Sequence, residues 1–400
     1  MKSFYQDLIR KNSTKIVLVI LDGLGGLPRF PGGKTELEQA HTPNLDELAE
    51  RSSLGLTVPL APGVTVGSGP GHLAIFGYDP LENAIGRGAL EALGVDFALR
   101  PDDIAARGNF CTLDKDGTIL DRRAGRLASE KSARLVERLR EIEIPGVEFF
   151  VELVKEHRFA FVMRKAGLGA KLSSSDPLIT GVPPLAVRAL DDDSKQAAEL
   201  VNAFIARARQ VLEDEQPANG IMLRGFALTP VIPSFKERFG VNAAAIAVNG
   251  MYRGVARLAG MQVLDVNGIS LADEFTTLEA AWDAFDFFYL HFKKTDTCGE
   301  AGDFDGKVRA IEEFDLLLPR LLALKPDVVV IGGDHSSPAV MKSHSWHPVP
   351  LLLYAANCRS DGRREFGERA CAAGSLGAIP AMQVMPLAMA HADRFEKFGA

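Results

Sequence analysis

Apolar residues in this chain gather into short unbroken runs, and the runs end in charged or glycine-rich segments. The first, Lys15-Ile-Val-Leu-Val-Ile-Leu21, is rich in β-branched residues and closes on Asp22-Gly23. Such a run predicts a strand buried on both faces, as in the centre of a parallel sheet. Asp327-Val-Val-Val-Ile331 predicts a second, ending in Gly332-Gly333-Asp334-His335-Ser336. Phe285-Asp-Phe-Phe-Tyr-Leu-His-Phe292 predicts a third, leading into Thr295-Asp296-Thr297-Cys298-Gly299-Glu300. Residues 243–248, 261–266 and 349–354 predict further strands. Between them the period changes. Thr42-Pro43-Asn44 has the chemistry of a helix start, with Thr42 as cap and Pro43 in the first turn. A helix is predicted around residues 276–283, and 307–316 places apolar positions 308, 311 and 314–316 on one helical face. This alternation predicts an α/β fold, with helices on both faces of a sheet. From about Gly86 to Phe235 the alternation is lost, and arginine and proline become frequent.

One polar stretch stands apart. In Thr65-Val66-Gly67-Ser68-Gly69-Pro70-Gly71-His72, three glycines and a proline frame a serine, and an apolar run follows. Pro70 suits the first turn of a helix. Ser68 therefore falls where a loop becomes a helix, among backbone N–H groups that favour an anion such as phosphate. The plainer alternative is that Ser68 only caps the helix. In the irregular middle part, Asp121-Arg122-Arg123-Ala124-Gly125-Arg126 sets three arginines within five positions. Arginine suits bidentate contact with phosphate or carboxylate, although a solvated surface run would look the same. Arg158, Arg164 and Asp176 fall in the same part, and Arg253 and Arg257 follow it.

Composition narrows the picture. At 400 residues, two domains are expected. A net charge of −7 argues against a nucleic-acid-binding surface. The four cysteines have no CxxC pairing, which fits reduced thiols in a cytoplasmic protein. Residues 1–15 lack the apolar core of a signal peptide, and no apolar run is long enough to span a membrane.

Asp22, Asp296 and Asp334 each follow a predicted buried strand, and His335 accompanies the last. Ligands of open α/β sheets bind at the carboxyl ends of strands, so these residues are expected to converge. Acidic and imidazole side chains brought together there imply a metal site.

With these residues in view, the chain resembles the alkaline-phosphatase superfamily. Within it, the chain closely resembles the archaeal-type, cofactor-independent (2,3-bisphosphoglycerate-independent) phosphoglycerate mutases. The markers are Leu21-Asp22-Gly23, Gly67-Ser68-Gly69-Pro70-Gly71-His72 with Gly77-Tyr78-Asp79-Pro80, the 121–126 arginine run, Arg257-Leu258-Ala259-Gly260-Met261 and Asp334-His335-Ser336-Ser337-Pro338. The resemblance implies an alkaline-phosphatase-like sheet domain (1–90 and 235–400) with an inserted α+β substrate-binding cap (91–234). It also implies two divalent metal ions, Mn²⁺ or Mg²⁺ favoured with Zn²⁺ or Co²⁺ as alternatives, and no 2,3-bisphosphoglycerate. One ion would be held by Asp22, Ser68, Asp334 and His335, the other by Asp296, Glu300 and His344. Glu300 stands where the family usually has histidine, and His347 is a weaker candidate ligand.

The implied reaction is the interconversion of 3-phosphoglycerate and 2-phosphoglycerate. Ser68 takes and returns the phosphoryl group, Asp176 is the candidate proton shuttle, and Arg122, Arg123, Arg126, Arg253 and Arg257 bind substrate. The same serine and metals in an open cleft would make a phosphomonoesterase or another phosphoryl transferase. A non-catalytic metal-binding protein is the third reading. Whether the chain forms a homo-oligomer is left open by the sequence.

Overall fold

The first apolar run forms β1 (Ile16–Leu21), and every one of its side chains is buried. In the computed structural model, which describes residues 4–399, β2 (Ser53–Val58) follows. The middle of the chain then contributes β3 (Asp103–Leu113), β4 (Ile119–Asp121), β5 (Glu148–Lys155), β6 (Arg158–Arg164) and β7 (Gly220–Leu228). The remaining strands are β8 (Ala243–Ile246), β9 (Gln262–Val263), β10 (Phe287–Phe292), β11 (Val328–Gly332), β12 (Val349–Ala355) and β13 (Gly377–Pro380). They sort into two compact units. Unit 1 comprises the residues up to Asn83 and those from Ile232; unit 2 is Ala84–Val231.

Unit 1 is built on an eight-stranded sheet of order β13-β2-β12-β11-β1-β10-β8-β9. β1 lies parallel to both β10 and β11, with Leu21 opposite Phe292 and Ile20 opposite Gly332. The carboxyl ends of three adjacent strands therefore finish level, and the residues that follow them meet at one edge. β12 runs antiparallel to β11 and to β2. The core joins aliphatic side chains of β1, β10 and β11 to the apolar face of the helix Phe304–Ala323. Each fully buried Leu, Ile or Val contributes roughly 1.5–3 kcal/mol, so β1 is firmly anchored.

Two stretches differ from expectation. Residues 261–266 give only the two-residue β9, an edge strand paired with β8 alone. Residues 295–301, for which the sequence reading assigns no element, belong to a helix, Lys294–Ala301. Gly299 inside it allows close packing, since a Cβ there would lie 2.2 Å from the Ser337 carbonyl oxygen.

Unit 2 explains why its sequence shows no βα alternation: its sheet is antiparallel throughout. The long β3 is its spine, paired with β6 and β7, while β5 extends β6 and β4 pairs the end of β3. The helices Ser129–Arg140 and Lys195–Val211 supply apolar faces to a separate core. The units divide a few residues before the expected 90/91 and 234/235 boundaries, because the helix Arg87–Gly94 packs on β3. A Cβ on Gly88 would lie 2.1 Å from the Ala105 carbonyl oxygen. Among the described residues no helix is long and apolar enough to cross a membrane. All four cysteines are free thiols.

Candidate active site

Ser68 is the first residue of the helix Ser68–Ile75, and the cap position is held by Gly67. The serine hydroxyl is thus not consumed as a cap. It is half-buried, and its Oγ lies 3.2 Å from His335 Nε2. One turn along the helix, His72 Nδ1 donates to the Ser68 carbonyl oxygen at 2.8 Å and lies 3.2 Å from Asp334 Oδ2. The helix presses on the segment after β11, since a Cβ on Gly71 would lie 2.4 Å from the Asp334 carbonyl oxygen.

The strand ends bring Asp22, Asp334 and His335 together, all buried. His335 Nε2 lies 3.2 Å from Asp334 Oδ2 and 3.4 Å from Asp22 Oδ1. Those two carboxylate oxygens are buried and accept no hydrogen bond. Burial and the Asp334 charge would raise the Asp22 pKa, but His291 and Lys293 bring it below its ordinary value. Asp334 is likewise held well below the usual carboxylate range, with burial outweighed by His335 and His72. Two buried carboxylates with unclaimed oxygens and a neighbouring imidazole are the donor set of a divalent cation. Among the described residues, Asp22, Asp334 and His335 form one group able to hold a metal, and Asp296, His335 and His344 form another. The residues present therefore fit the metals that the sequence implies.

His344 stacks on His335, with ring centroids 3.7 Å apart. Its Nδ1 donates to the Val66 carbonyl oxygen at 2.9 Å, which frees Nε2 as a ligand. That Nε2 lies 3.6 Å from Asp296 Oδ1 and 3.5 Å from Glu300 Oε1. Glu300 sits one turn after Asp296 on the same helix. It does not cap the next helix, which is capped by Asp303. His347 is turned to Ser345 Oγ, 3.0 Å away, and stacks beside Trp346. Ser337, part of the 334–338 marker but given no role there, donates to Asp296 Oδ1 at 2.5 Å and lies 3.2 Å from His335 Nδ1.

Other residues of this centre were also missed. Lys293 Nζ lies 3.1 Å from Asp22 Oδ2, 2.5 Å from Asp296 Oδ2 and 2.8 Å from the Tyr252 hydroxyl. Burial would lower its pKa, but Asp22 and Asp296 raise it, so the ammonium bridges the carboxylates as a fixed cation. Tyr252 stacks on His291 at 3.6 Å, and His291 Nε2 lies 3.1 Å from Asp22 Oδ2. Burial, Asp22 and Asp334 push the Tyr252 hydroxyl far up, so it keeps its proton. The three-residue spacing from Asp296 marks Lys293 only once the helix Lys294–Ala301 is known. Nothing local marks Tyr252 or His291.

Unit 2 holds a cleft of about 470 Å³ lined by Arg107, Arg122, Arg123, Arg126, Arg158 and Arg224, with His157. The turn after β4 is held by Asp121, which accepts from Arg123 N at 2.8 Å and Gly125 N at 2.7 Å. Ala124, Gly125 and Arg126 all have positive φ, of 46, 67 and 53°. The two non-glycine residues, Ala124 and Arg126, store strain in this conformation, and such strain clusters at working sites. Burial and the crowding of Arg87, Arg158 and Arg224 lower the Arg107 pKa to about 10.

Asp176, the candidate proton shuttle, lies against one of the cleft arginines. It is buried and makes a two-pronged ion pair with Arg122, at 2.9 and 2.7 Å. Burial would raise its pKa, but Arg122 and the Leu178 N–H lower it. The carboxylate is thereby held ionised and fixed against the Arg122 guanidinium. Arg164 is likewise committed to Asp103, at 2.7 Å. Arg253 and Arg257 belong to unit 1, one turn apart on the helix Gly250–Leu258 that carries Tyr252. Arg253 reaches Asp265 Oδ1 at 3.0 Å.

A sequence model described as 2,3-bisphosphoglycerate-independent phosphoglycerate mutase matches residues 49–219. The chain is 51% identical over 401 residues to a probable 2,3-bisphosphoglycerate-independent phosphoglycerate mutase of Thermus thermophilus, covering 99% of this chain and 98% of that one. The chain belongs to this mutase family. A similarly named protein of Aquifex aeolicus is 47% identical, over 98% of this chain and 99% of its own. Among solved structures, the cofactor-independent phosphoglycerate mutase of Thermoplasma acidophilum superposes with a TM-score of 0.77 at 30% identity, covering 94% of this chain and 100% of that one. A Pyrococcus horikoshii protein superposes with a TM-score of 0.83 at 32% identity, over 97% and 100%. Membership of the mutase family thus extends over both units.

Proposed function

We propose that the chain interconverts 3-phosphoglycerate and 2-phosphoglycerate, with Ser68 carrying the phosphoryl group between the two positions. The observation behind this reading is the accessible Ser68 Oγ, 3.2 Å from His335 Nε2, beside two buried carboxylate oxygens that lack donors. Two divalent cations, Mn²⁺ or Mg²⁺ favoured, one at Asp22, Ser68, Asp334 and His335 and one at Asp296, Glu300 and His344, would lower the Ser68 pKa and neutralise phosphoryl charge. Ser68 Oγ attacks phosphorus as the bond to the substrate 3-oxygen breaks. The glycerate is retained and turned, and its 2-hydroxyl oxygen then attacks phosphorus as Ser68 leaves. Lys293 keeps a positive charge between Asp22 and Asp296 throughout, and Tyr252 remains a hydrogen-bond donor.

On this reading unit 2 is the substrate-binding insert. Arg122, fixed by Asp176, with Arg123 and Arg126, takes the carboxylate and hydroxyl groups of the glycerate. Arg253 and Arg257 are assigned to the substrate on the strength of the family resemblance. Phosphorus NMR of 3-phosphoglycerate mixed with the Mn²⁺-loaded protein tests the proposal. The expected product is 2-phosphoglycerate without free phosphate, and Ser68→Ala should abolish it by several orders of magnitude. Release of inorganic phosphate as the main product would show a phosphomonoesterase instead.

A further inference from the structure

Lys307 is fully buried in the first turns of the helix Phe304–Ala323, and the reaction above gives it no part. Its ammonium donates to three backbone carbonyls: Gly23 O at 2.8 Å, Gly25 O at 3.0 Å and Ser337 O at 2.9 Å. An ammonium has three N–H donors, so all are used. Gly23 and Gly25 come one and three residues after Asp22, and Ser337 comes two residues after His335. One buried charge therefore ties together the backbones of both segments that bear candidate metal ligands.

The donors of the same segments are also claimed by buried carboxyl groups. Glu368 Oε1 accepts from Gly26 N at 2.8 Å, and Glu36 accepts from Leu27 N at 3.0 Å and Ala339 N at 2.7 Å. The two segments bond directly as well, with Ser337 N donating to Gly25 O at 3.0 Å. No slack remains between them. A Cβ on Gly25 would lie 1.8 Å from Ser336 Oγ, and one on Gly26 would lie 2.0 Å from Glu36 Oε2.

We propose that Lys307 is a positioning residue for the metal centre, holding the segments of Asp22 and His335 in ligand geometry before any divalent cation binds. The proposal rests on the metal reading above. Asp22 and Asp334 repel each other when no cation lies between them. A backbone tie that does not pass through their side chains resists that repulsion without occupying the ligand oxygens. The charge on Lys307 taken alone has the opposite consequence, because a fixed positive charge disfavours a second cation nearby. Positioning and simple electrostatics therefore predict opposite signs.

Metal-free wild type, Lys307→Met and Lys307→Gln can be titrated with Mn²⁺ in the absence of substrate, reading free Mn²⁺ by electron paramagnetic resonance. Glutamine keeps two N–H donors, so it guards against a methionine variant that fails to fold. Mn²⁺ affinity should fall about tenfold or more in Lys307→Met and less in Lys307→Gln, the scale seen when groups behind metal ligands are removed. Turnover at saturating Mn²⁺ should stay within about threefold of wild type, because the ligands themselves are intact. Tighter Mn²⁺ binding in the variants would mean that Lys307 acts only through its charge. A lower melting temperature with unchanged Mn²⁺ affinity would mean that it serves only the fold. Either result overturns the proposal alone. Wild type that takes up no Mn²⁺ overturns the metal reading, and this proposal with it.

Discussion

Units 1 and 2 each crowd like charges together, and they relieve the repulsion in opposite ways. In unit 1 the carboxylates of Asp22, Asp296 and Asp334 are sealed from water and held by fixed partners such as His72, His291 and Lys293. In unit 2 the arginines line an open cleft, where Arg123 and Arg126 are exposed and water screens them. A dry, rigid negative centre suits a small cation that stays. A wet, positive cleft suits an anion that must arrive, turn and leave. The contrast is one of dielectric surroundings more than of charge.

The sharpest way to break it is Asp334→Asn, which removes one charge from the sealed centre. Activity should fall by about three orders of magnitude or more together with Mn²⁺ uptake, as measured by steady-state kinetics and metal titration. Retained Mn²⁺ affinity would deny that the centre is built for a cation. In the open cleft, Arg123→Ala and Arg126→Ala should each raise KM about 10- to 100-fold, from a charge-assisted contact worth about 1.5–3 kcal/mol. Their melting temperatures should stay close to wild type because both side chains are exposed; normal KM in both would leave a solvated surface run.

Glu300→His tests the rim of the sealed centre. The carboxylate makes a harder ligand set than imidazole, so the change should move metal preference about tenfold from Mn²⁺ toward Zn²⁺. Identical metal titrations of the two proteins would remove Glu300 from the ligands. The smallest effect concerns Asp176, a buried carboxylate paired with Arg122 of the arginine cleft. Its folded pKa lies below the ordinary 3.8 because Arg122 and the Leu178 N–H outweigh burial. The stability it contributes is fully present above pH 3.8 and is lost as pH falls through the lower folded value. The stability gap between wild type and Asp176→Asn, measured by urea unfolding, should be flat from pH 8 to 5 and close below about pH 4. A gap that narrows between pH 8 and 5 would contradict a carboxylate held ionised.

The sheet of unit 1 was legible because its central strands are apolar runs that end abruptly in polar residues, at Asp22 after β1, Lys293 after β10 and Gly333-Asp334-His335 after β11. Asp22, Asp296, Asp334 and His335 came with it, because adjacent parallel strands deliver their ends to one edge, whereas Glu300 and His344 entered only through the family resemblance. Lys293, Tyr252, His291 and Lys307 were not legible. Their roles depend on which side chains a finished fold places against Asp22, and strand periodicity carries no such information. Asp176 was noticed only for its neighbourhood among the arginines, and its two-pronged pairing with Arg122 was not legible. The antiparallel sheet of unit 2 escaped because β3, the strand that organises it, mixes Asp, Arg and Asn with its apolar positions. The helix Lys294–Ala301 escaped because Gly299 and the threonines weaken its propensity, while tertiary packing on Ser337 supplies the support.

The placing of β1 between β10 and β11 has a consequence for how the polypeptide is made. β1 leaves the ribosome early, yet both of its neighbours in the sheet are translated only after the whole of unit 2. At about 5–20 residues per second, that leaves a bare apolar strand waiting for tens of seconds. Unit 2, whose strands pair within one contiguous stretch, can collapse during that interval and draw the separated parts of unit 1 closer. Nascent chains halted just before β10 are therefore where chaperone engagement should be greatest, with unit 2 already resistant to protease.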